Sequence, residues 1–451
     1  MIPTADGWID GAPVKWTRGR IKNLIASSTN GTWGGEPAED GSDVHCIRAA
    51  DFDRVGRRAK VNGAPLRSID ASSLRQHLLH PGDLILEKSG GGEKQPVGMA
   101  VLYEGTEKAV CSNFCSRISP ASDVDSRFLT YVFAAAYGQG LVQSAIKQTT
   151  GIQNLDAGVF FSSPWAYPGL EEQRRIADFL DAETTRIDGL VTAEQRVLDR
   201  LAERRTAGVV AAVSGGEHTV RRESTLAWLE SIPEWWQEVR VGLLARMGSG
   251  HTPSRSHPEW WVDCTIPWIT TGEVKQVRND RLEVLYETRE KISELGLANS
   301  AAELHPKGTV FLCRTAASAG YSGVMGSDMA TSQDIVTWTC GPRLNPYYLL
   351  WCLRAMRPDL LGRLAMGSTH KTIYVPDLQM LRVPLPPLEE QREIVESIRQ
   401  QNSRIDSLTD KVRRQIELLT ERRQSLITAA VTGQFDVSTA SGRNVTDGVT
   451  A

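Results

Sequence analysis

The chain has 451 residues, with 51 Lys+Arg against 54 Asp+Glu and a formal net charge of −3. At roughly 100–200 residues per domain, this length predicts two to four structural units. No run reaches the roughly 18 uncharged apolar residues of a membrane helix, and the first ten residues lack the basic and apolar regions of a secretory signal. A freestanding, non-specific DNA-binding protein usually carries a clear basic excess, so charge alone does not suggest DNA.

The seven cysteines are odd in number and scattered, and most lie in apolar runs such as VFLCRT and LLWCLR. This distribution predicts reduced, buried thiols in a cytoplasmic protein.

A long internal repeat dominates the chain. The 46 residues that start at Leu170 (LEEQRRIADFLD…) align without a gap, at an offset of 218, with those that start at Leu388 (LEEQREIVESIR…), and 19 positions are identical. A second match has an offset of 220 and relates the start of the chain to the segment after the first repeat. It pairs Trp8, Pro13, Trp16, Arg20 and Leu24 with Trp228, Pro233, Trp236, Arg240 and Leu244. The order is therefore globular, helical, globular, helical.

The two globular segments share weaker landmarks. Each has a His-Pro before an apolar run (HPGDLIL from His80, HPKGTVFL from His305), then an aromatic helix-like segment and a polar turn. Short Val/Ile-rich runs punctuated by Gly and Pro, mixed with helical segments, predict an α+β fold. We place globular domains at residues 1–167 and 216–386, helical spacers at 168–215 and 387–435, and a disordered tail at 436–451.

Both helical segments have strong end signals. A proline stands just before each, paired glutamates occupy the first turn, and Gly215 and Gly433 close them. Apolar residues seven apart predict a coiled-coil seam. The predicted seam residues are Leu180, Ile187, Leu190 and Leu201 in the first helix and Ile398, Ile405, Leu408, Val412, Leu419 and Leu426 in the second.

A plainer alternative is that each amphipathic helix packs only on its own domain. Against it, 44 residues from Leu170 to Val213 would span about 66 Å, more than a domain of ordinary size covers. We expect the two helices to pair antiparallel, so that a pseudo-twofold axis relates the two halves and the end of the second helix approaches the start of the chain.

The pattern P-x-LEEQ…RID.L…ERR…AVTG, found twice after two dissimilar globular regions, resembles the specificity subunits of type I restriction–modification systems. The resemblance covers about residues 8–435. It implies two target-recognition domains that each read one half of a split DNA sequence, with the helices setting the gap. It also implies two adenine-N6 methyltransferase subunits on the helices and motor-nuclease subunits, with S-adenosylmethionine, ATP and Mg bound by these partners and no cofactor bound by this chain.

Residues identical in both globular segments are poor candidates for reading bases if the two half-sites differ, so Trp16/Trp236 and Arg20/Arg240 should serve the fold or phosphates. Base-reading residues should lie where the segments diverge. Polar turns are candidates because Lys and Arg suit phosphate or guanine and Asn and Gln suit adenine, with a solvated loop as the alternative at each position. The candidates are Gln153, Asn154, Arg255, Thr369, His370, Lys371 and Thr372.

Enzyme motifs are missing from the sequence. We find no phosphate-binding loop of the form GxxxxGK[ST], no Asn-Pro-Pro-Tyr-like methylation box, and no metal-ligand pattern, since Cys111 and Cys115 have no second pair. We therefore predict a non-catalytic chain. The alternatives are a specificity subunit of a methylation-only or other phage-defence complex, a self-contained methyltransferase or nuclease, and a coiled-coil interaction protein without DNA function.

Overall fold

A computed structural model describes residues 10–92, 95–149, 151–364 and 372–439. The chain forms two compact units: unit 1 comprises Met1–Gln195 and Arg414–Ala451, and unit 2 comprises Arg196–Arg413. Each unit contains one globular segment and part of each long helix.

Unit 1 is built on a six-stranded sheet of order β2-β11-β7-β9-β5-β4, with smaller sheets β10-β3-β6, β12-β13-β8 and β1-β14. Its strands are β1 Thr17–Arg20, β2 Ile25–Asn30, β3 Val44–Ile47, β4 Phe52–Asp53, β5 Arg58–Ala59, β6 Leu66–Arg67, β7 Leu84–Glu87, β8 Ser89–Gly90, β9 Ala100–Leu102, β10 Ala109–Cys111, β11 Cys115–Pro120, β12 Ile146–Thr149, β13 Ile152–Leu155 and β14 Pro164–Tyr167. Its shorter helices are α1 Ala71–His77, α2 Ser126–Gly138 and α3 Ala157–Phe161, with 3-10 turns at Ile21–Leu24, Ala49–Asp51, Gln143–Ala145 and Val437–Thr439.

Unit 2 has a five-stranded sheet of order β18-β25-β22-β23-β20 and smaller sheets β21-β19-β24, β17-β26 and β15-β16. Its strands are β15 Arg221–Glu223, β16 Ser231–Pro233, β17 Gln237–Arg240, β18 Ala245–Ser249, β19 Ile266–Ile269, β20 Val284–Leu285, β21 Lys291–Ile292, β22 Val310–Cys313, β23 Ser322–Met325, β24 Ala330–Thr331, β25 Ile335–Cys340 and β26 Arg382–Leu385. Its shorter helices are α5 Glu294–Ala298, α6 Pro346–Ala355, α7 Arg357–Asp359 and α8 Val375–Gln379, with a π turn at Leu360–Leu364 and 3-10 turns at Val241–Leu243, Pro258–Trp261, Glu273–Val277 and Ala316–Ser318.

Five strands of the main sheet in unit 1, β2-β11-β7-β9-β5, correspond to β18-β25-β22-β23-β20 in unit 2, and β1-β14 corresponds to β17-β26; β4 extends the sheet of unit 1 by one strand. A buried helix covers each main sheet, and each begins at a side-chain cap. Asp125 caps α2 and Asn345 caps α6 by accepting from two backbone N–H groups. The predicted α+β class and the repeat of the globular segment are confirmed.

The two long helices are α4, Leu170–Val213, and α9, Leu388–Val431, each of 44 residues as the repeat predicts. Each ends before a glycine with positive φ, +67° at Gly215 and +75° at Gly433. Only a residue without a Cβ adopts this conformation at little cost, so these glycines stop the helices where the sequence places the stop.

Each unit pairs the two helices antiparallel. In unit 1 Ile176, Ala177 and Leu180 of α4 share a core with four residues of α9, Leu426, Ile427, Ala430 and Val431. In unit 2 Val209 and Val213 near the end of α4 share a core with Val395 and Ile398 near the start of α9. These same cores include the globular segments, so the helices pack both on each other and on their domains.

The less exposed positions of each long helix form two rows, and residues within a row are seven apart. The second row lies four residues after the first, whereas the predicted Leu190 and Leu408 lie three residues after it. Leu180, Ile187, Ile398, Ile405 and Leu426 are buried as predicted, and Leu201, Val412 and Leu419 are half-buried. Leu190 and Leu408 are 43% and 48% exposed, and their assignment to the seam is therefore wrong. The second row lies at Thr184, Val191, Leu198, Arg205 and Ala212 in α4 and at Asn402, Thr409, Ile416, Arg423 and Ala430 in α9. Much of it is polar, so an apolar pattern does not reveal it.

The expected approach of the chain's end to its start is confirmed within unit 1, because Ala12 and Trp16 share a core with Ala430 and Val431. The segment predicted as a tail begins with the 3-10 turn Val437–Thr439, and Val437 packs against that core. Ordered chain therefore extends through residue 439, and residues 440–451 lie outside the described residues.

Candidate nucleic-acid interface

The glutamine of each LEEQ sequence joins three backbone segments. In unit 2 the fully buried Gln391 donates through Nε2 to the carbonyls of Pro386 and Arg343, both at 3.0 Å, and accepts from Asn345 N at 2.8 Å. Gln173 makes the same three contacts in unit 1, with the carbonyls of Pro168 and Asp123 and with Asp125 N. Because Asp125 and Asn345 are the caps of α2 and α6, this side chain links the start of a long helix to the start of the helix over the sheet.

The repeated tryptophan meets the second glutamate of the same sequence. Trp16 donates through Nε1 to Glu172 Oε1 at 3.1 Å, and Trp236 donates to Glu390 Oε2 at 3.2 Å. A Cβ added at Gly433 would lie 3.2 Å from the Trp16 ring, and one added at Gly215 would lie 2.9 Å from the Trp236 ring. In each unit the tryptophan therefore packs between the start of one long helix and the end of the other, which supports the expectation of a role in the fold.

The RID and ERR sequences form an ion pair between the helices in each unit. In unit 1 Arg423 donates to Asp188 through Nε at 2.8 Å and through Nη2 at 3.2 Å, and in unit 2 Arg205 pairs with Asp406. Both arginines also donate to a carbonyl of the globular segment, Val55 O at 2.8 Å in unit 1 and Asp280 O at 3.4 Å in unit 2. The ion pair therefore joins the helix pair to the domain.

A buried arginine lies near each of these ion pairs. Burial, together with the nearby charge of Arg423, lowers the pKa of Arg57 to about 10 in unit 1. Burial also lowers the pKa of Arg354 to about 10 in unit 2, where the guanidinium donates to the carbonyls of Asp280, Leu282 and Ser322. Arg57 lies just before β5 and Arg354 lies in α6. The two units therefore place a buried arginine beside the ion pair from different parts of the globular segment.

Reversing one charge of the Arg423–Asp188 pair should destabilise unit 1. We expect Asp188→Arg to lower the free energy of unfolding by about 2–3 kcal/mol, because it places two guanidinium groups together in a site that is mostly shielded from solvent. Adding Arg423→Asp should restore part of the loss and give a coupling of about 1–3 kcal/mol in a double-mutant cycle measured by urea denaturation. The exposed Arg414–Glu417 pair is the control, with a coupling of at most about 0.5 kcal/mol. An equally small coupling at Arg423–Asp188 would contradict this role.

The segments predicted as polar turns occupy matching places in the two units, but the assignment of Gln153 and Asn154 to a turn is wrong, because both lie in strand β13, Ile152–Leu155. Leu155 N donates to Lys88 O in unit 1 and Ile373 N donates to Arg314 O in unit 2, both at 2.8 Å. The chain at Asn154 therefore corresponds to the chain at Thr372, as the sequence alignment predicts. Thr369, His370 and Lys371 lie outside the described residues.

Gln153 and Asn154 both make internal hydrogen bonds. Gln153 is 9% exposed and accepts from Val97 N at 3.3 Å, and Asn154 is half-buried and accepts from Ser89 Oγ at 2.5 Å. Arg255 is exposed, with its guanidinium 4.2 Å from the centre of the Trp261 ring and 3.9 Å from Glu290 Oε2. DNA contact by these residues stays a prediction. Because Gln153 is buried, we assign its side chain a role within the sheet.

A cluster of polar side chains surrounds Asn154 of strand β13 in unit 1. Lys88 follows β7 directly and donates to Asn30 Oδ1 at 2.7 Å, and Ser116 donates to the same oxygen at 3.3 Å. We call this set patch 1; its members are Asn30, Lys88, Ser89, Ser116 and Asn154.

The equivalent cluster in unit 2 has different side chains. Arg314 follows β22 as Lys88 follows β7, and it donates through Nε to Gln333 O at 3.0 Å. Thr252 donates to Gln333 Oε1 at 2.6 Å. We call this set patch 2; its members are Thr252, Arg314, Thr315, Gln333 and Thr372.

Sequence reasoning missed Lys88 and Arg314, although a signal was present. The His-Pro landmark precedes an apolar run in both segments, and a basic residue follows that run in both, as LILEK and VFLCR. Basic and amide side chains on a patch at the end of a strand are the groups that bind phosphates and base edges. The two patches share a basic residue and differ around it, which is the divergence expected of residues that read different sequences.

The remaining chemistry is sparse. All seven cysteines are free, five of them buried, and burial raises the pKa of Cys46 to about 11 and that of Cys340 to about 12. Within the described ranges, His, Cys, Asp and Glu side chains form no group of three or more with the arrangement of a metal site. No helix of those ranges has the unbroken apolar length needed to cross a membrane.

Comparison with known proteins agrees with this organisation. Residues 233–418 match the family model of the type I restriction modification DNA specificity domain. The EcoR124I/EcoR124II specificity subunit of Escherichia coli is 22% identical over 206 residues, which are 45% of this chain and 49% of that protein. The putative MjaX specificity subunit of Methanocaldococcus jannaschii is 19% identical over 397 residues, 83% of each chain. This chain therefore aligns with about half the length of the first relative and most of the second.

Two solved structures share the fold. A chain from a study of complex assembly and conformational transition in the type I R-M system has a TM-score of 0.66 and 17% identity, covering 94% of this chain and 99% of that one. The HsdS subunit from Thermoanaerobacter tengcongensis has a TM-score of 0.51 and 17% identity, covering 94% of this chain and 98% of its own.

The repeated α+β module, packed in each unit against two repeated helices, defines a class of proteins with a duplicated α+β domain. Residues 233–418 match the type I restriction modification DNA specificity domain, and over most of its length the chain is similar to specificity subunits of type I restriction–modification systems.

Proposed function

We propose that this chain is a non-catalytic, sequence-specific DNA-binding subunit that directs methyltransferase and nuclease subunits to a bipartite DNA target. The observation that carries the proposal is the occurrence of one fold twice with different polar side chains at the same place, patch 1 and patch 2. Identical patches would suit one repeated sequence, whereas these suit two different half-sites.

The proposed partners are double-stranded DNA, two adenine-N6 methyltransferase subunits and motor-nuclease subunits, acting in the cytoplasm. The charge balance supports a need for partners, because residues 15–167 hold 17 basic against 15 acidic residues and residues 216–386 hold 18 of each. Phosphate neutralisation supplies most of the affinity of proteins for DNA. We therefore assign many of the contacts with DNA phosphates to the methyltransferase. We also propose that S-adenosylmethionine, ATP and Mg bind to the partner subunits.

Gel-shift and methylation mapping test this function directly. We expect the chain with its cognate methyltransferase to shift duplex DNA and to produce N6-methyladenine in a motif of two short half-sites around an unread gap, mapped by long-read sequencing. The methyltransferase alone should leave no such motif, and the chain alone should transfer no methyl group from S-adenosylmethionine. A short uninterrupted motif, or methylation by the chain alone, would contradict the proposal.

Two equivalent leucines on the long helices suit a partner that binds twice. Leu190 in unit 1 and Leu408 in unit 2 occupy the same position of the repeat and are both exposed. Leu408 lines a groove of about 430 Å³ with Leu201, Arg204 and Arg404. An exposed leucine beside arginines is the composition of a protein–protein contact.

Introducing a carboxylate at these leucines should prevent methyltransferase binding. We expect Leu190→Asp or Leu408→Asp to remove one copy of the partner and the double variant to remove both, because desolvating a carboxylate in an apolar contact is costly. Mass photometry of the assembled complex measures the copy number. Leu243→Asp, at another exposed leucine, is the control and should leave two copies. An unchanged copy number in the double variant would show that the partner binds elsewhere.

A further inference from the structure

Several arginines of unit 2 form ion pairs, and the side chain of Arg314 is held differently from theirs. Arg354 and Arg357 pair with Asp280, Arg281 pairs with Asp406 and Asp410, and Arg399 pairs with Glu283. Arg314 donates through Nε to the carbonyl of Gln333, a neutral acceptor. Within the described residues, its Nη1 and Nη2 have no hydrogen-bond or ion-pair partner.

The backbone of Arg314 is held on both sides. Its N–H donates to Asp334 O at 2.9 Å, and its carbonyl accepts from Ile373 N at 2.8 Å. The neighbouring Thr315 donates to Asp334 Oδ1 at 2.8 Å, so that carboxylate is engaged away from the guanidinium. The main chain and the Nε end of the side chain are therefore positioned before any ligand arrives, which lowers the entropic cost of binding.

Patch 1 has the same position but a different donor. Lys88 is a single ammonium group held by Asn30 Oδ1 at 2.7 Å. A planar guanidinium with two free terminal nitrogens matches the O6 and N7 acceptors of guanine in the major groove, and an ammonium already bound to an amide oxygen lacks this geometry. The two units therefore present different hydrogen-bond donors at this position, a guanidinium in unit 2 and an engaged ammonium in unit 1.

From this geometry we propose that Arg314 reads a guanine in the half-site recognised by unit 2, through Nη1 and Nη2. The inference rests on the proposed function and adds the base and the residue. A phosphate is the other ligand of this chemistry, and the experiment distinguishes the two because a phosphate contact carries no sequence information.

The test maps N6-methyladenine in genomic DNA from cells that lack other adenine methylation and produce the full chain with its methyltransferase. For the unaltered chain we expect a bipartite motif with a guanine in the half-site of unit 2. Arg314→Lys and Arg314→Gln should relax that one position, lowering the preference for guanine by about 5- to 150-fold. The other half-site should remain unchanged, which shows that the variants fold. Arg289→Gln, at another exposed arginine of unit 2, should leave the whole motif intact.

Other outcomes overturn the inference in recognisable ways. Arg314 variants with an unchanged motif, or a half-site without guanine, would refute base reading while leaving the proposed function in place. Uniformly weaker binding to duplexes of the mapped motif, with a salt slope reduced by about one in Arg314→Gln but kept in Arg314→Lys, would assign Arg314 to a phosphate. Absence of any bipartite motif from the unaltered chain would refute the proposed function as well.

Discussion

Replacement of Gln391 by leucine is expected to lower the free energy of unfolding by about 3–5 kcal/mol. The volume changes little, but the Asn345 amide and the carbonyls of Arg343 and Pro386 lose their partner in a site with no solvent access. Each unsatisfied buried group costs about 1–3 kcal/mol. Urea denaturation of the purified chain measures the loss, and hydrogen exchange of the α6 amides shows that unit 2 opens first.

The repeat offers a matched comparison for this result. Gln173→Leu should destabilise unit 1 by a similar amount, because it removes the same three contacts. Gln400→Leu lies on the same helix as Gln391 but is exposed, and it should change stability by no more than about 0.5 kcal/mol. If Gln391→Leu were as mild as Gln400→Leu, the LEEQ glutamine would have no role in joining the long helix to α6.

Trp16→Ala is the second change with a large expected effect, about 3–5 kcal/mol in unit 1. The ring is 4% exposed, and its removal leaves a cavity between the start of α4 and the turn at Gly433. It also leaves Glu172 without the indole donor, although Lys15 still pairs with this carboxylate at 2.9 Å. Thermal and urea denaturation measure the loss, with exchange of the α4 amides as the local readout.

Smaller substitutions separate packing from hydrogen bonding at this site. Trp16→Phe retains a ring and should cost about 1–2 kcal/mol, less than Trp16→Ala. Val14→Ala is a nearby control, since Val14 is 93% exposed. Equal losses for the phenylalanine and alanine variants would mean that the bond to Glu172, and not the packing of the ring, stabilises this junction.

Much of the helical architecture was predictable because its signals are local. Proline before the start, paired glutamates in the first turn and glycine after the end identify both long helices, and Leu170–Val213 and Leu388–Val431 lie within the predicted spacers 168–215 and 387–435. The repeat predicted two globular segments of one fold, and the matched sheets confirm it. These signals operate within a few residues of chain, where backbone sterics and end charges decide the outcome.

The roles of the repeated residues were not predictable from the sequence. In the sequence, the glutamine of LEEQ looks like an ordinary helix residue. The structure shows that the backbone N–H of Asn345, 46 positions earlier, donates to the Gln391 side chain. Asp188 and Arg423 are 235 positions apart in the chain, yet they form an ion pair between the helices. A search for apolar periodicity does not detect a polar contact of this kind. The sequence instead assigned Leu190 and Leu408 to the seam, and they lie at the surface.

The candidate interface divides in the same way. The sequence aligned the polar segment that contains Gln153 and Asn154 with its counterpart in unit 2, but it predicted a turn where the structure has strand β13. It did not indicate that Gln153 is buried, or that Lys88 and Arg314 lie beside these segments. Each basic residue comes from a part of the chain more than 50 residues before the segment that it contacts.

The amino-acid sequence by itself determined the duplication, the helix ends and the α+β class, since each depends on repeated or local pattern. Only the tertiary structure decided which side chains the duplication brings together: the buried glutamines, the interhelical ion pairs and the two patches. Contacts between distant segments depend on how the core packs, and packing selects neighbours by shape and by the satisfaction of buried polar groups. A short segment of sequence specifies neither the shape of the packed core nor the partners of its buried polar groups.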